Sequence, residues 1–165
     1  MITLKKKIYL VAVICVIIDQ LSKLVITNML DSFTGFVVVK DFFEIMYVKN
    51  VGAAWGILSG NLIMLIFISI AALFVLLFYI NKEVDINKLM MLSYGFLLGG
   101  IMGNLIDRVF RSYVVDFLHF YIFGYSYPVF NIADTLIVCG IVLMIIEVLR
   151  SEINVIKGRE KRYEN

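Results

Sequence analysis

The stretch LIMLIFISIAALFVLLFYI, residues Leu62–Ile80, runs for 19 residues without a charged side chain. As a helix it covers nearly the whole of a bilayer's hydrocarbon core, which takes about 20 residues at about 1.5 Å of rise each. Three more stretches of similar length flank it: Ile8–Met29, Leu89–Ile106 and Val129–Leu149. The chain is 62% hydrophobic and only 17% charged, with a mean hydropathy of +0.96. No water-soluble domain of 165 residues hides that much apolar surface, so the bilayer is the expected solvent. By length the chain is expected to form one integral-membrane domain over residues 1–165.

Four crossings place both termini on one side. Lys5–Lys7 at one end, and Arg150, Lys157, Arg159, Lys161 and Arg162 at the other, mark that side as cytoplasmic. The basic N-terminus followed by an apolar run imitates a signal peptide. The run is too long and lacks a small-residue cleavage site, so it reads as a retained first span. Two longer segments then face outward. Ser32–Gly60 holds the strand-like stretch Phe36–Lys49, rich in β-branched and aromatic residues. Phe110–Pro128 is aromatic rather than hydrophilic and reads as a loop lying at the interface in an aromatic belt, with Trp55 of the first outer segment as another interfacial anchor.

Against this background the polar residues stand out. An ionised group within a membrane helix costs roughly 2.5–3.5 kcal/mol even on lenient scales, so each needs a partner or a task. Asp19 and Lys23 are spaced i,i+4 and can pair on one helix face. Gly99 and Gly103 form a small-residue pair suited to close helix packing. Asn104, Asp107 and Arg108 share a face one turn later, where Asp107 and Arg108 can partly neutralise each other. Asn131 and Asp134 open the fourth span, and their spacing also fits an N-cap with an acid three residues on. Asn50 and Gly52 belong to NVGAAWG, which fits a turn. The directions of the spans bring all of these clusters to the outer membrane face.

Several chemistries drop out. His119 is the only histidine and reads as an interfacial loop residue. No H-E-x-x-H spacing is present, and no metal or other cofactor is expected. Cys15 and Cys139 lie in apolar runs without an activating base, so they read as packing residues. A net charge of +2 without a basic stripe gives no sign of nucleic acid. What remains is acid–base work by carboxylates. Two neighbouring aspartates cannot both ionise, so one keeps a proton while the other stays charged, the arrangement needed to activate water against a peptide carbonyl. The residues alone do not choose between Asp107 and Asp116 as the partner of Asp134. A four-helix proton-coupled transporter and a non-catalytic scaffold remain as rival readings; the first would be expected to hold its carboxylate near the midplane.

The motifs DQLSK (Asp19–Lys23), NVGAAWG (Asn50–Gly56), GGIMGNLIDR (Gly99–Arg108), VVDF (Val114–Phe117) and FNIAD (Phe130–Asp134) together resemble the lipoprotein signal peptidases of bacteria, the type II signal peptidases. The resemblance runs through nearly the whole chain. It implies a four-helix membrane fold, all-α apart from a small extracytoplasmic β-cradle. It also implies an aspartyl endopeptidase that cuts prolipoproteins before a diacylglyceryl-modified cysteine, at the outer face of the cytoplasmic membrane. By the same resemblance Asp116 and Asp134 are the catalytic pair. Asn50, Gly52, Asn104, Arg108 and Asn131 shape the substrate site, and Asp19, Lys23 and Asp107 support it. The partners expected are the lipidated prolipoprotein and membrane lipid, with the chain acting as a monomer.

Overall fold

The structure is a computed structural model that describes residues 4–53 and 57–163. Four helices carry the chain: α1 (Leu4–Met29), α2 (Leu62–Lys82), α3 (Lys88–Arg111) and α4 (Ile132–Tyr163). Each is long and apolar enough to cross a membrane. Their outward surfaces expose large apolar side chains such as Leu21, Phe67, Phe74 and Ile145, as a bilayer solvent requires.

Helix α3 is the central one, with more than half of its apolar stretch buried. Glycines make this possible. A Cβ on Gly99 would collide with the Cβ of Cys15 on α1. A Cβ on Gly100 would lie 2.5 Å from the Ala133 carbonyl oxygen on α4. Gly103 faces both neighbours, with Asp19 Oδ2 2.5 Å and the Ala133 Cβ 3.3 Å from its missing side chain. Without a hydrophobic force between helices in lipid, such close backbone approach supplies the van der Waals contact that holds them. Ser93 Oγ adds a buried bond to the Gly140 carbonyl at 2.8 Å. Helix α2 packs on α3 at the opposite end of the bundle, where Leu76 and Ile80 share a core cluster with Tyr94 and Leu98 of α3 and Ile8 of α1.

At the end of the bundle formed by the C-termini of α1 and α3 and the N-terminus of α4 sits a small antiparallel sheet in the order β1-β2-β3-β4. Its strands are β1 (Gly35–Val39), β2 (Phe43–Asn50), β3 (Val114–Ile122) and β4 (Tyr125–Ser126). The expected strand-like stretch Phe36–Lys49 is therefore the β1–β2 hairpin. The sheet claims more of the chain than expected: Phe110–Pro128, read as a loop, instead finishes α3 and supplies β3 and β4. Strand β3 lacks the expected alternation because both of its faces are covered along its first four residues. Val115 and Phe117 pack with Ile26 and Tyr47 beneath the sheet, while Val114 and Asp116 are buried on the other face, so polar and apolar residues do not alternate.

Helix limits differ in a similar way. Helix α3 continues five residues past Ile106, and α4 begins at Ile132 instead of Val129. The residues before α4 are extended because Phe130 pairs with Leu118 of β3. The expectation for Trp55 falls on residues 54–56, outside those described.

Gly100→Val is expected to push α4 from α3 and to destabilise the protein by about 1–3 kcal/mol, the usual range for overpacking. A lowered melting temperature in detergent would show it, and an unchanged one would mean that the α3–α4 contact tolerates separation.

Candidate active site

The buried ammonium of Lys23 organises the sheet end of the bundle. It lies 2.9 Å from Asp19 Oδ2 and 2.9 Å from Asp107 Oδ2, and donates to Asn104 Oδ1 at 3.0 Å. Three protons thus meet three acceptors, and Lys23, Asp19 and Asp107 are all inaccessible to solvent. The carboxylates hold other elements in turn. Asp19 Oδ1 accepts the Ala133 backbone N–H at 2.9 Å, anchoring the first turn of α4. Asp107 Oδ2 accepts the Val115 N–H at 3.1 Å, anchoring β3 one residue before Asp116.

The expected Asp107–Arg108 neutralisation is not what the structure holds. Asp107 pairs instead with Arg111, one turn on at i,i+4, whereas Arg108 is its immediate neighbour in the chain and points to another side of the helix. Gln20 joins them, donating to Asp19 Oδ2, Asp107 Oδ1 and the Gly103 carbonyl, and accepting from Arg111. Sequence reasoning missed Arg111 and Gln20. The i,i+4 spacing of Asp107 and Arg111 was the available signal for the first; Gln20 has none, since all its partners but the adjacent Asp19 lie more than 80 residues away.

Next to this cluster Asp116 and Asp134 share a network of amides. Asn131 Nδ2 donates to Asp116 Oδ1 at 2.6 Å and to Asn104 Oδ1 at 3.1 Å. Asn104 Nδ2 donates to Asp134 Oδ1 at 2.8 Å. Asn50 Nδ2 donates to Asp116 Oδ2 at 2.7 Å, and Asn50 Oδ1 accepts the Gly52 N–H at 2.8 Å. The N-cap reading of Asn131 also holds. Asn131 Oδ1 accepts the Asp134 N–H at 3.0 Å, and Asp134 Oδ2 accepts the Asn131 N–H at 3.1 Å, a reciprocal capping box. The cap and the site are the same groups, so capping α4 also aims Asp134 at the network.

The two carboxyls sit in different surroundings. Asp134 lies in the first turn of α4, where backbone N–H groups and the helix dipole favour a negative charge. Asp116 lies on β3 and is pushed up to about 7, first by burial and then by the charge of Asp134, against the opposing bonds from Asn50 and Asn131. The folded protein therefore keeps a proton there that the unfolded chain releases in the ordinary carboxylate range. Folding is favoured below that range, and this contribution is lost as the pH rises towards about 7.

Arg108 reaches the site from α3. Its Nη2 makes a long 3.4 Å bond to the Gly52 carbonyl, and its Nε is buried without a hydrogen-bond partner among the described residues. A buried guanidinium donor left open beside two carboxyls is available to an incoming carbonyl. His119 is placed differently from expectation. It is buried in β3, with Nδ1 2.5 Å from Glu44 Oε1 and Nε2 2.8 Å from Ser126 Oγ. Those contacts tie three strands together.

Residues 11–150 match the family model described as Signal peptidase (SPase) II. Two solved structures are similar along most of their length. One, a bacterial membrane enzyme determined by the in meso method at 2.3 Å resolution, is 40% identical with a TM-score of 0.82, and the match covers 88% of each chain. Another bacterial membrane enzyme determined in the same way, at 1.9 Å, is 41% identical with a TM-score of 0.77, covering 85% of this chain and 90% of the other.

Lys23→Met removes the only cation that touches both Asp19 and Asp107 among the described residues. With Asp19 left as a buried carboxylate without a cation, while Arg111 still pairs with Asp107, a loss of about 3–5 kcal/mol in stability is expected. Thermal unfolding in detergent measures it; a variant as stable as wild type would show that the cluster is dispensable to the fold.

Proposed function

The chain belongs to the signal peptidase II family of aspartic peptidases, and on that premise we propose that it removes the signal peptide from bacterial prolipoproteins by means of Asp116 and Asp134. The observation that carries this reading is the amide network that joins two carboxyls, one in the first turn of α4 and the other on β3, where burial and its neighbour's charge favour a proton.

In the proposed reaction Asp134 is the base and Asp116 the acid. Asp134 takes a proton from water as the water oxygen bonds to the scissile carbonyl carbon. Asp116 gives its proton to the carbonyl oxygen, so that a neutral diol forms. The diol then collapses: the C–N bond breaks, the proton on Asp134 goes to the leaving amine, and Asp116 recovers its proton from a diol hydroxyl. Asn131 Nδ2 and Asn50 Nδ2 orient Asp116, and Asn104 Nδ2 orients Asp134. Arg108 Nε donates to a backbone carbonyl of the substrate, which Asn50 and Gly52 help to seat. Asp19, Lys23 and Asp107 hold these groups in place and do not touch the substrate.

The protein is proposed to be a monomer in the bacterial cytoplasmic membrane, with both termini inside and the sheet outside. The cut falls before the cysteine that carries diacylglycerol, whose acyl chains keep the scissile bond at the level of the site. Transport fits less well, because the polar groups gather at one end of the bundle rather than midway along it.

Purified protein in detergent is expected to cleave a diacylglyceryl-modified prolipoprotein, and Asp116→Asn and Asp134→Asn to lower the rate at least about 1,000-fold while staying folded, as loss of an essential acid or base does. Survival of cleavage in Asp116→Asn would move the role to Asp107.

The wild-type rate is also expected to fall as the pH rises through about 7, where Asp116 gives up its proton. A rate that stays level to pH 9 would assign the acid to another group.

A further inference from the structure

Phe43, Phe120 and Phe130 form a row of stacked rings across the sheet. Phe43 and Phe120 are directly paired on β2 and β3, with ring centroids 4.5 Å apart and planes 20° from parallel. Phe120 and Phe130 follow at 5.8 Å and 18°. Phe42 closes one end, edge-on to Phe120 at 5.5 Å. The register shows which way the row faces. Alternate residues of a strand share a face, so Phe120 stands on the same side of β3 as Leu118 and Asp116. Phe130 pairs with Leu118 and Phe43 with Phe120, and paired residues also share a face. The rings and the Asp116 carboxyl therefore belong to one surface.

Burial separates this surface from the other side of the sheet. Phe117, one residue from Asp116, turns the opposite way and is buried against Ile26, Tyr47 and Val115. Phe43, Phe120 and Phe130 stay partly exposed. At about 3.3 Å per residue, Phe130 is level with a point roughly 7 Å beyond Asp116 along β3, and Phe120 is roughly 13 Å beyond it. An extended peptide advances by the same amount per residue. A substrate chain held at Asp116 and laid along β3 thus passes over the rings two to four residues from its scissile bond.

The direction is also set by the fold. Strand β3 leaves the end of α3 at Val114 and runs out to Ile122, away from the anchor at Asp107. On the peptidase reading an apolar signal peptide stays in the bilayer at the level of the helices, so the half that follows the sheet is the part that is kept. Resting on that reading, we propose that Phe43, Phe120 and Phe130 form a subsite for an apolar, best an aromatic, side chain one to three residues after the lipidated cysteine, which is itself the first residue past the scissile bond. Parallel ring faces recognise such a side chain by offset stacking, without a hydrogen bond and with tolerance for which apolar residue it is.

The test compares lipidated prolipoprotein peptides carrying Phe or Gly at the first, second or third residue after the cysteine, cleaved by wild type, Phe120→Ala and Phe120→Tyr. In wild type, kcat/KM is expected to favour Phe over Gly by about 3- to 10-fold at one of these positions, the effect of one stacked ring pair. The Phe/Gly ratio should fall to about one in Phe120→Ala and persist in Phe120→Tyr. Equal cleavage of both peptides by wild type would overturn the proposal. So would an unchanged ratio in Phe120→Ala, including the case where both peptides slow together because the ring only supports the sheet. Failure of wild type to cleave any of the peptides would instead strike at the peptidase reading itself.

Discussion

One buried ammonium ion holds the sheet end of this protein together. Removing Lys23 and its two carboxylates from water is costly, and such a cluster persists only where every proton and lone pair is met. Here the requirement is met by groups from different parts of the chain: Asp19 from α1, Asp107 and Asn104 from α3, and, through the carboxylates, the Ala133 N–H of α4 and the Val115 N–H of β3. Satisfying the charge therefore fixes the relative positions of three helices and a strand. Arg111 completes the balance, so the four ionised groups sum to zero. The glycines of α3 serve the same end, because only a bare backbone at Gly103 leaves room for Asp19.

The two aspartates use that rigidity in different ways. Asp134 is held by its own helix: it closes the capping box with Asn131 and sits among the free N–H groups of the first turn. Asp116 is held by the sheet and is surrounded by amides, which supply hydrogen bonds without supplying a full positive charge. A cation in place of those asparagines would fix the carboxylate in its charged form. The amides orient it and leave burial and Asp134 to raise its affinity for a proton. Lys23 is kept one step away, acting on the pair through Asn104.

Much of this was legible along the chain. Four uncharged or nearly uncharged stretches, set by the thickness of a bilayer, determined the helices and their alternating directions. Direction alone brought the polar motifs to one end, because a helix that points outward carries its C-terminal residues there and the next carries its N-terminal ones. The i,i+4 pair Asp19–Lys23 and the cap of Asn131 and Asp134 were also readable, since both depend on spacing within a single helix.

What lay beyond the sequence was every relation across elements. Spacing left Asp107 free to pair with Arg108, and the fold gave it Lys23 and Arg111, because the rotation of α3 against α1 decides which neighbours a face meets. Strand β3 looked like a loop because period-two alternation appears only when one face is buried and the other meets water, and along Val114–Phe117 both faces are buried. For the same reason His119 was placed at a surface and is found buried between strands. The sequence by itself determined which segments cross the membrane and which polar groups share an end, since hydropathy and helix geometry act locally. Only the tertiary structure decided which of those groups touch, because contact depends on register and rotation between segments up to 114 residues apart.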